Sequence, residues 1–259
     1  MKKSIQIIAT ACAILLGNVG FSQNDTMYVM KNGVVINKQP VKPSDVDSII
    51  FYNPNPIDTT NNSTITDADG NVYTSVTIGT QEWMVENLRT TKYSDGTSIP
   101  NVTDYTEWNN LSTGAWSYYD NDEKEGDTYG KLYNWYAVET GKLCPTGWHV
   151  PTDTEWTVLT DYLAADGHNG TQGTALKATS GWNSSGNGTD NYGWNGLPGG
   201  ERSYNSGFDD VGYRGYWWSS SQNDALSAWP RDLYSYSFGY DYSYSNYKEN
   251  GFSVRCLRE

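Results

Sequence analysis

A chain of 259 residues with a formal net charge of −13 is a poor match to nucleic acid or to an anionic membrane surface, both of which repel it. Aliphatic residues are sparse while 11 Trp and 21 Tyr are present, so aromatic rings must supply much of the core and some must reach the surface. The same aromatic content excludes a wholly disordered chain.

The chain opens with a basic pair, Lys2 and Lys3, followed by the apolar run from Ile5 to Leu16. That run is about a dozen residues, too short for a bilayer and fitting a cleaved secretory signal over residues 1–22, with cleavage after Ser22. A lipoprotein signal at Cys12 fits less well, because the run ahead of Cys12 is short and the apolar stretch continues beyond it. No later run reaches membrane-spanning length. The expected location is periplasmic, cell-surface or extracellular.

Residues 23–52 read as a small β unit. Asn32-Gly33 lies between MYVMK and VVINK, the signature of a hairpin with a type I′ turn, and Ser48 to Phe51 reads as a third short strand. Residues 53–66 are polar, rich in Pro and Asn, and aperiodic, as a linker would be. The main domain, residues 67–259, starts with a turn at Asp69-Gly70 and a strand in which Val72, Thr74, Val76 and Ile78 alternate. Helical spacing of apolar residues predicts a helix over residues 129–139, stopped by Gly141. A second helix follows Pro151, with Thr152 and Glu155 as a capping box and Trp156, Leu159 and Leu163 on one face. Residues 180–215, dense in Gly, Asn and Ser, read as several ordered loops. Three strands close the chain, near 215–220, 228–238 and 251–257, the last with Phe252, Val254 and Cys256 on its core face. The fold class is α+β, with short helices, twisted antiparallel strands and long ordered loops.

Removal of the signal leaves two cysteines, Cys144 and Cys256. In an exported chain such a pair reads as a disulfide rather than a metal site. The bridge would place the two Cα atoms within about 7 Å.

In order along the chain stand DADGNVYTSVTIGTQEWMVENLRTTKYSDGTSIP, YGKLYNWYAV, LCPTGWHVPTDTEW, LPGGERS, GYWWSSS and GFSVRCLRE. Together these blocks resemble the Fibrobacter succinogenes major paralogous domain family over residues 67–259. The segment from Met27 to Tyr52 is similar to a short piece found ahead of such domains in Bacteroidetes proteins. The resemblance implies a C-type lectin-like fold related to that of the formylglycine-generating enzymes, and a surface or secreted location in a Gram-negative host. It implies no reaction, since the family has no agreed activity.

Candidate chemistry is thin. Glu155 is explained by helix capping and His149, with no second histidine nearby, by hydrogen bonding. Ser219-Ser220-Ser221 lacks a nucleophile elbow, and the two cysteines serve better as a bridge than as an active site. The acidic stretch from Asp120 to Asp127 invites calcium but lacks EF-hand spacing, and Asp67 to Asn71 is equally well read as a hairpin turn. Calcium remains open as a cofactor, and no other is suggested.

The remaining feature is YSYSFGYDYSYSNY, residues 234–247, in which six Tyr and four Ser are joined by one Phe, Gly, Asp and Asn. Stiff amphipathic rings with small polar neighbours are the composition of antibody paratopes. Strict alternation would let only half of these tyrosines face a core. The candidate binding surface is therefore Trp217, Trp218, Tyr234, Tyr236, Tyr240, Tyr242, Tyr244 and Tyr247, with Trp217, Trp218 and Trp229 as anchors or core. The same residue set would arise from adenine randomisation of Asn codons by a diversity-generating retroelement, or by ordinary inheritance within this family. The expected function is a non-catalytic module presenting this surface to a protein or a glycan. The alternatives are a structural surface domain with no discrete ligand, or an enzyme on the formylglycine-generating-enzyme fold.

Overall fold

Gly and Asn turns alternating with short aromatic runs give many brief elements rather than a few long ones. The computed structural model describes residues 26–31, 34–40, 64–237 and 245–259. The chain divides into two units, residues 1–63 and 64–259. In the first, β1 (Thr26–Lys31) and β2 (Val34–Pro40) pair antiparallel from Thr26↔Pro40 to Lys31↔Val34, with a register shift between Val29 and Met30. The Asn32-Gly33 turn, the strand expected at Ser48 to Phe51 and the signal lie outside the described residues.

The second unit opens with β3 (Ile65–Thr66) and β4 (Val72–Tyr73), an antiparallel pair around the Asp69-Gly70 turn, so the expected linker ends before Ile65. Next come β5 (Ser75–Ile78) and β6 (Gln81–Met84). The alternation expected through Val72 breaks at Thr74, whose N–H and hydroxyl both donate to the Glu86 carboxylate; Tyr73 is buried and Val72 is exposed. The short helix α1 (Tyr105–Asn109) and β7 (Trp116–Ser117) follow, then a 3-10 turn, Tyr119–Asn121, and α2 (Glu123–Tyr129).

The helix expected over 129–139 is not continuous. Gly130 ends α2 at φ 79, and a Cβ there would stand 2.8 Å from the Leu88 carbonyl oxygen. Leu132–Tyr133 then form β8, paired with β7, and α3 covers only Trp135–Val138. Apolar residues recur here because nearly every side chain from Lys131 to Val138 is buried, so spacing carried no information about period.

After β9 (Trp148–His149), α4 (Asp153–Leu163) starts at the expected capping box: Thr152 accepts from the Glu155 N–H, and the Glu155 carboxylate accepts from the Thr152 N–H. Trp156, Leu159 and Leu163 are buried, as expected. A π turn, Ala164–His168, leads to α5 (Gln172–Leu176). The loops expected over 180–215 contain β10 (Gly199–Ser203) and β11 (Gly207–Val211). The closing elements are β12 (Arg214–Gln222), β13 (Ser227–Tyr234), β14 (Asn246–Tyr247) and β15 (Leu257–Arg258). Of the strand expected over 251–257 only Leu257 joins a ladder, continued by Arg258; Gly251, Phe252 and Ser253 make single bridges to Arg202, Tyr133 and Trp217.

A five-stranded sheet of order β11-β10-β12-β13-β14 carries the region of interest, and a four-stranded sheet of order β5-β6-β15-β9 packs elsewhere in the unit. Two aromatic cores flank β12 because successive strand residues face opposite ways. Trp217 enters one core with Trp83, Trp156, Trp194 and Leu233, and Trp218 enters the other with Tyr133, Phe252 and Cys256. Both tryptophans are fully buried. This corrects their expected place on a binding surface: they are the two sides of the sheet's central strand. Trp229 is partly buried.

Cys144 and Cys256 form a disulfide with a Cα separation of 6.0 Å, within the expected reach. Where aliphatic packing is scarce, long cations fill space against rings. Lys131 lies over Trp116 at 4.8 Å, Arg202 over Trp108 at 4.1 Å, Lys248 over Trp135 at 4.5 Å and Arg255 over Trp194 at 3.9 Å, and all four are buried.

Candidate functional site

Tyr234 ends β13 opposite Arg214, the first residue of β12, so both strands deliver tyrosines to one corner. The Ser235 N–H donates to the Tyr213 carbonyl at 2.8 Å and ties the two turns together. Tyr213 and Tyr236 stand out from this corner, 40% and 59% exposed. Their rings are nearly parallel, at 22°, with centroids 6.4 Å apart, and Tyr234 meets Tyr236 edge-on at 5.1 Å.

The Tyr234–Ser237 side of this corner is held in place. The Tyr236 phenol shares a hydrogen bond of 2.7 Å with the Ser184 hydroxyl. Lys177 Nζ donates to the carbonyls of Tyr234 at 3.0 Å and Ser237 at 2.9 Å while lying over Trp182 at 5.2 Å, and burial pushes its ammonium below its ordinary value. Gly186 packs so closely that a Cβ would come within 2.6 Å of the Ser235 carbonyl oxygen. Arg214 stacks over Tyr234 at 4.5 Å, donates to the Tyr216 phenol at 2.8 Å and faces Asp210 at 3.8 Å; the Tyr216 phenol donates to Asp210 at 3.0 Å. Burial and the nearby Glu201 push the Tyr216 phenol well above its ordinary range.

A second exposed group lies at the other end of β13. Tyr247 pairs with Ser227, is 46% exposed and packs against Tyr204 with centroids 4.4 Å apart, close to the exposed Leu226. Eight residues of β13 separate the ends by roughly 23 Å at about 3.3 Å per residue. The structure thus joins Tyr234 and Tyr236 and leaves Tyr247 apart. Tyr240, Tyr242 and Tyr244 lie outside the described residues. Tyr213, Arg214, Ser184 and Tyr204 were not anticipated. A tyrosine between two turn glycines ahead of a strand, Gly212-Tyr213-Arg214-Gly215, was the available signal for the first two.

The other residues considered for chemistry are spent on structure. Glu155 accepts from the Thr152 N–H and hydroxyl, both at 2.8 Å, and pairs with His149 Nε2 at 3.0 Å. Burial alone would raise the Glu155 carboxyl; these partners outweigh it and hold the group below its ordinary value. Ser219 is buried, and the Ser221 hydroxyl accepts from the Asp153 N–H. Asp122 caps α2, and Asp67 accepts from the N–H groups of Asp69 and Asn71, the Asn71 amide and the Tyr73 phenol. Among the described residues, no group of three or more His, Cys, Asp or Glu is arranged to hold a metal ion, and no helix is long and apolar enough to cross a membrane.

No curated protein and no solved structure matches this chain. The model of one family, the Fibrobacter succinogenes major domain, matches residues 76–258, blocks that include both strands of the tyrosine corner and the bridged cysteines. The chain belongs to the Fibrobacter succinogenes major domain family.

Proposed function

We propose that this protein is an exported, non-catalytic binding module on a C-type lectin-like scaffold, and that its Tyr213–Tyr236 corner receives a protein or glycan partner outside the cytoplasm. The observation that carries the reading is that two exposed, nearly parallel tyrosine rings stand on a tied corner: the Tyr236 phenol is hydrogen-bonded to Ser184, and the Tyr213 backbone accepts from the Ser235 N–H. Immobilising a side chain on binding costs about 0.5–1.5 kcal/mol, and here much of that cost is met before a partner arrives. Flat ring faces suit the apolar face of a sugar or an apolar side chain, and rings of this kind act as interface anchors. The disulfide accords with an oxidising compartment and the basic and apolar N-terminal residues accord with export.

A glycan array and a pull-down from surface extracts test the reading with the mature chain and with a Tyr213→Ser/Tyr236→Ser variant. A bound partner should lose about 30-fold or more in affinity with the variant, as expected for anchors near 2 kcal/mol. Failure of the folded wild-type chain in both assays, or binding unchanged in the variant, defeats it.

A further inference from the structure

The register of four neighbouring strands aligns charged side chains beneath the tyrosine corner. Asp209 on β11 lies opposite Glu201 on β10. The parallel pairing Gly200↔Gly215 brings the next residues, Glu201 and Tyr216, side by side. Across β12 and β13, Tyr216 lies opposite Asp232, and Arg214 opposite Tyr234. Asp210 joins the row because its backbone is left-handed, at φ 66, which turns its carboxylate to the Tyr216 phenol and Arg214. Tyr119, from the 3-10 turn, adds a phenol that burial, Asp120, Asp209 and Asp210 push up to about 12. Three carboxylates, Asp210, Asp209 and Asp232, thus act on Glu201 from the neighbouring strands, with Arg214 as the cation among them.

We propose that Glu201 is a proton-controlled latch: on ionising, it competes with Asp210 for Arg214 and loosens the hold of Arg214 on Tyr216 and Tyr234. With Glu201 neutral, the guanidinium serves Asp210 and Tyr216 and stacks on Tyr234. With Glu201 charged, one more negative group shares that cation, directly opposite Asp209, where like charges on paired strands destabilise. Tyr234 is followed by the Ser235–Tyr213 hydrogen bond, so a shift of Arg214 reaches the exposed pair. The latch belongs to the unliganded chain and stands whatever the corner binds.

The working range follows from Glu201 itself. Burial, then Asp210 and Asp209, push its carboxyl from about 4.5 up to about 7 against the pull of Arg214. A group raised on folding stabilises fully below its ordinary value and loses that contribution as pH climbs through the raised one. If the opened corner returns Glu201 to its ordinary value, linkage gives about a tenfold loss of closed over open between pH 6 and pH 8.

Amide exchange of Ser235 and Tyr213, followed by NMR on the mature, disulfide-intact chain and corrected for intrinsic rates, reads this directly. Wild type should lose about tenfold in protection from pH 6 to pH 8 at these amides but not in α4. Glu201→Gln should remove the pH dependence, and Asp209→Asn, which removes a like charge, should move the transition to lower pH. A flat wild-type profile, or a transition that survives Glu201→Gln, overturns the latch. Should Glu201→Gln fail to fold, a transition left in place by Asp209→Asn overturns it equally.

Discussion

Replacing Asn87 should cost more than removing the buried cation beside it. Asn87 is buried, and its Oδ1 accepts from Arg255 Nη2 at 2.7 Å and from Trp217 Nε1 at 2.8 Å. Its Nδ2 donates to the Tyr129 carbonyl at 2.9 Å and the Ser253 hydroxyl at 3.3 Å. Asn87→Leu keeps the branched shape but removes the acceptor, leaving the Trp217 indole unpaired and Arg255 Nη2 with only its long bond to the Asn195 carbonyl at 3.4 Å, which at about 1–3 and 1.5–3 kcal/mol gives a loss of about 3–5 kcal/mol. That is a large fraction of the roughly 5–15 kcal/mol that holds a domain together. Arg255→Met acts differently. The guanidinium is fully buried, and burial depresses its ordinary value to about 9, so its desolvation is incompletely repaid. Methionine gives up ring contacts of about 2 kcal/mol but takes the desolvation cost away with the charge, for a loss of about 2 kcal/mol or less. In the double variant the stranded cation is gone, so the two losses should fall short of additivity by about 2 kcal/mol. Urea unfolding followed by circular dichroism at pH 7, with the disulfide intact, measures all three. An Asn87→Leu loss no larger than that of Arg255→Met, or strict additivity, would refute the account of Asn87 as the shared acceptor.

Cys144→Ser/Cys256→Ser should lower stability by about 5 kcal/mol, the chain-entropy value for a bridge spanning 112 residues, and thiol titration of native wild type should find neither cysteine of this pair free. Gly200→Ala should cost about 3 kcal/mol or more by urea unfolding, since φ is +64 and the new Cβ would lie 2.4 Å from the Asp209 carbonyl oxygen and 2.7 Å from the Val211 nitrogen. Thr152→Ala should cost about 1 kcal/mol at pH 7. Because the Glu155 carboxyl is held low on folding, its contribution is present above about pH 4.5 and is lost as pH falls, so this variant should also flatten the acid limb of a stability–pH profile.

What the sequence disclosed depended on the range of the interaction. The start of α4 was legible because Thr152 and Glu155 satisfy each other within three residues. The closing cysteine was legible because an exported pair has few other uses, and Phe252, Val254 and Cys256 are indeed buried; the same pattern concealed that Ser253 and Arg255 are buried too. The run from Tyr129 to Glu139 misled because burial on all sides erases periodicity. Strands β10 and β11 left no trace, since GGERS and GFDDV neither alternate nor carry β-branched runs; their pairing rests on Gly200, where backbone approaches too closely for any side chain. The tyrosine-rich stretch pointed to Tyr236, but its partner Tyr213 comes from a turn 23 positions earlier, and no local pattern links the two.

That long-range pairing bears on why the tyrosines are there at all. If β-propensity were their whole purpose, an exposed Tyr236 would need only its backbone, and its ring would be free in solvent. Instead Ser184 bonds the phenol, and the Ser184 and Ser185 backbones are left-handed, at φ 55 and 58, a conformation that costs ordinary residues energy. Gly186, with no room for a Cβ, packs the same loop on Ser235. Lys177 gives up solvation to hold the carbonyls of Tyr234 and Ser237. The left-handed Ser184 and Ser185 conformations are a local cost with no return in core burial for the Tyr236 ring, which remains exposed. Such costs persist where the surroundings over-determine a conformation that serves something beyond folding. In this chain they converge on the corner that carries Tyr213 and Tyr236, which makes these two residues, rather than the buried Trp217 and Trp218, the first to mutate in testing the proposed surface.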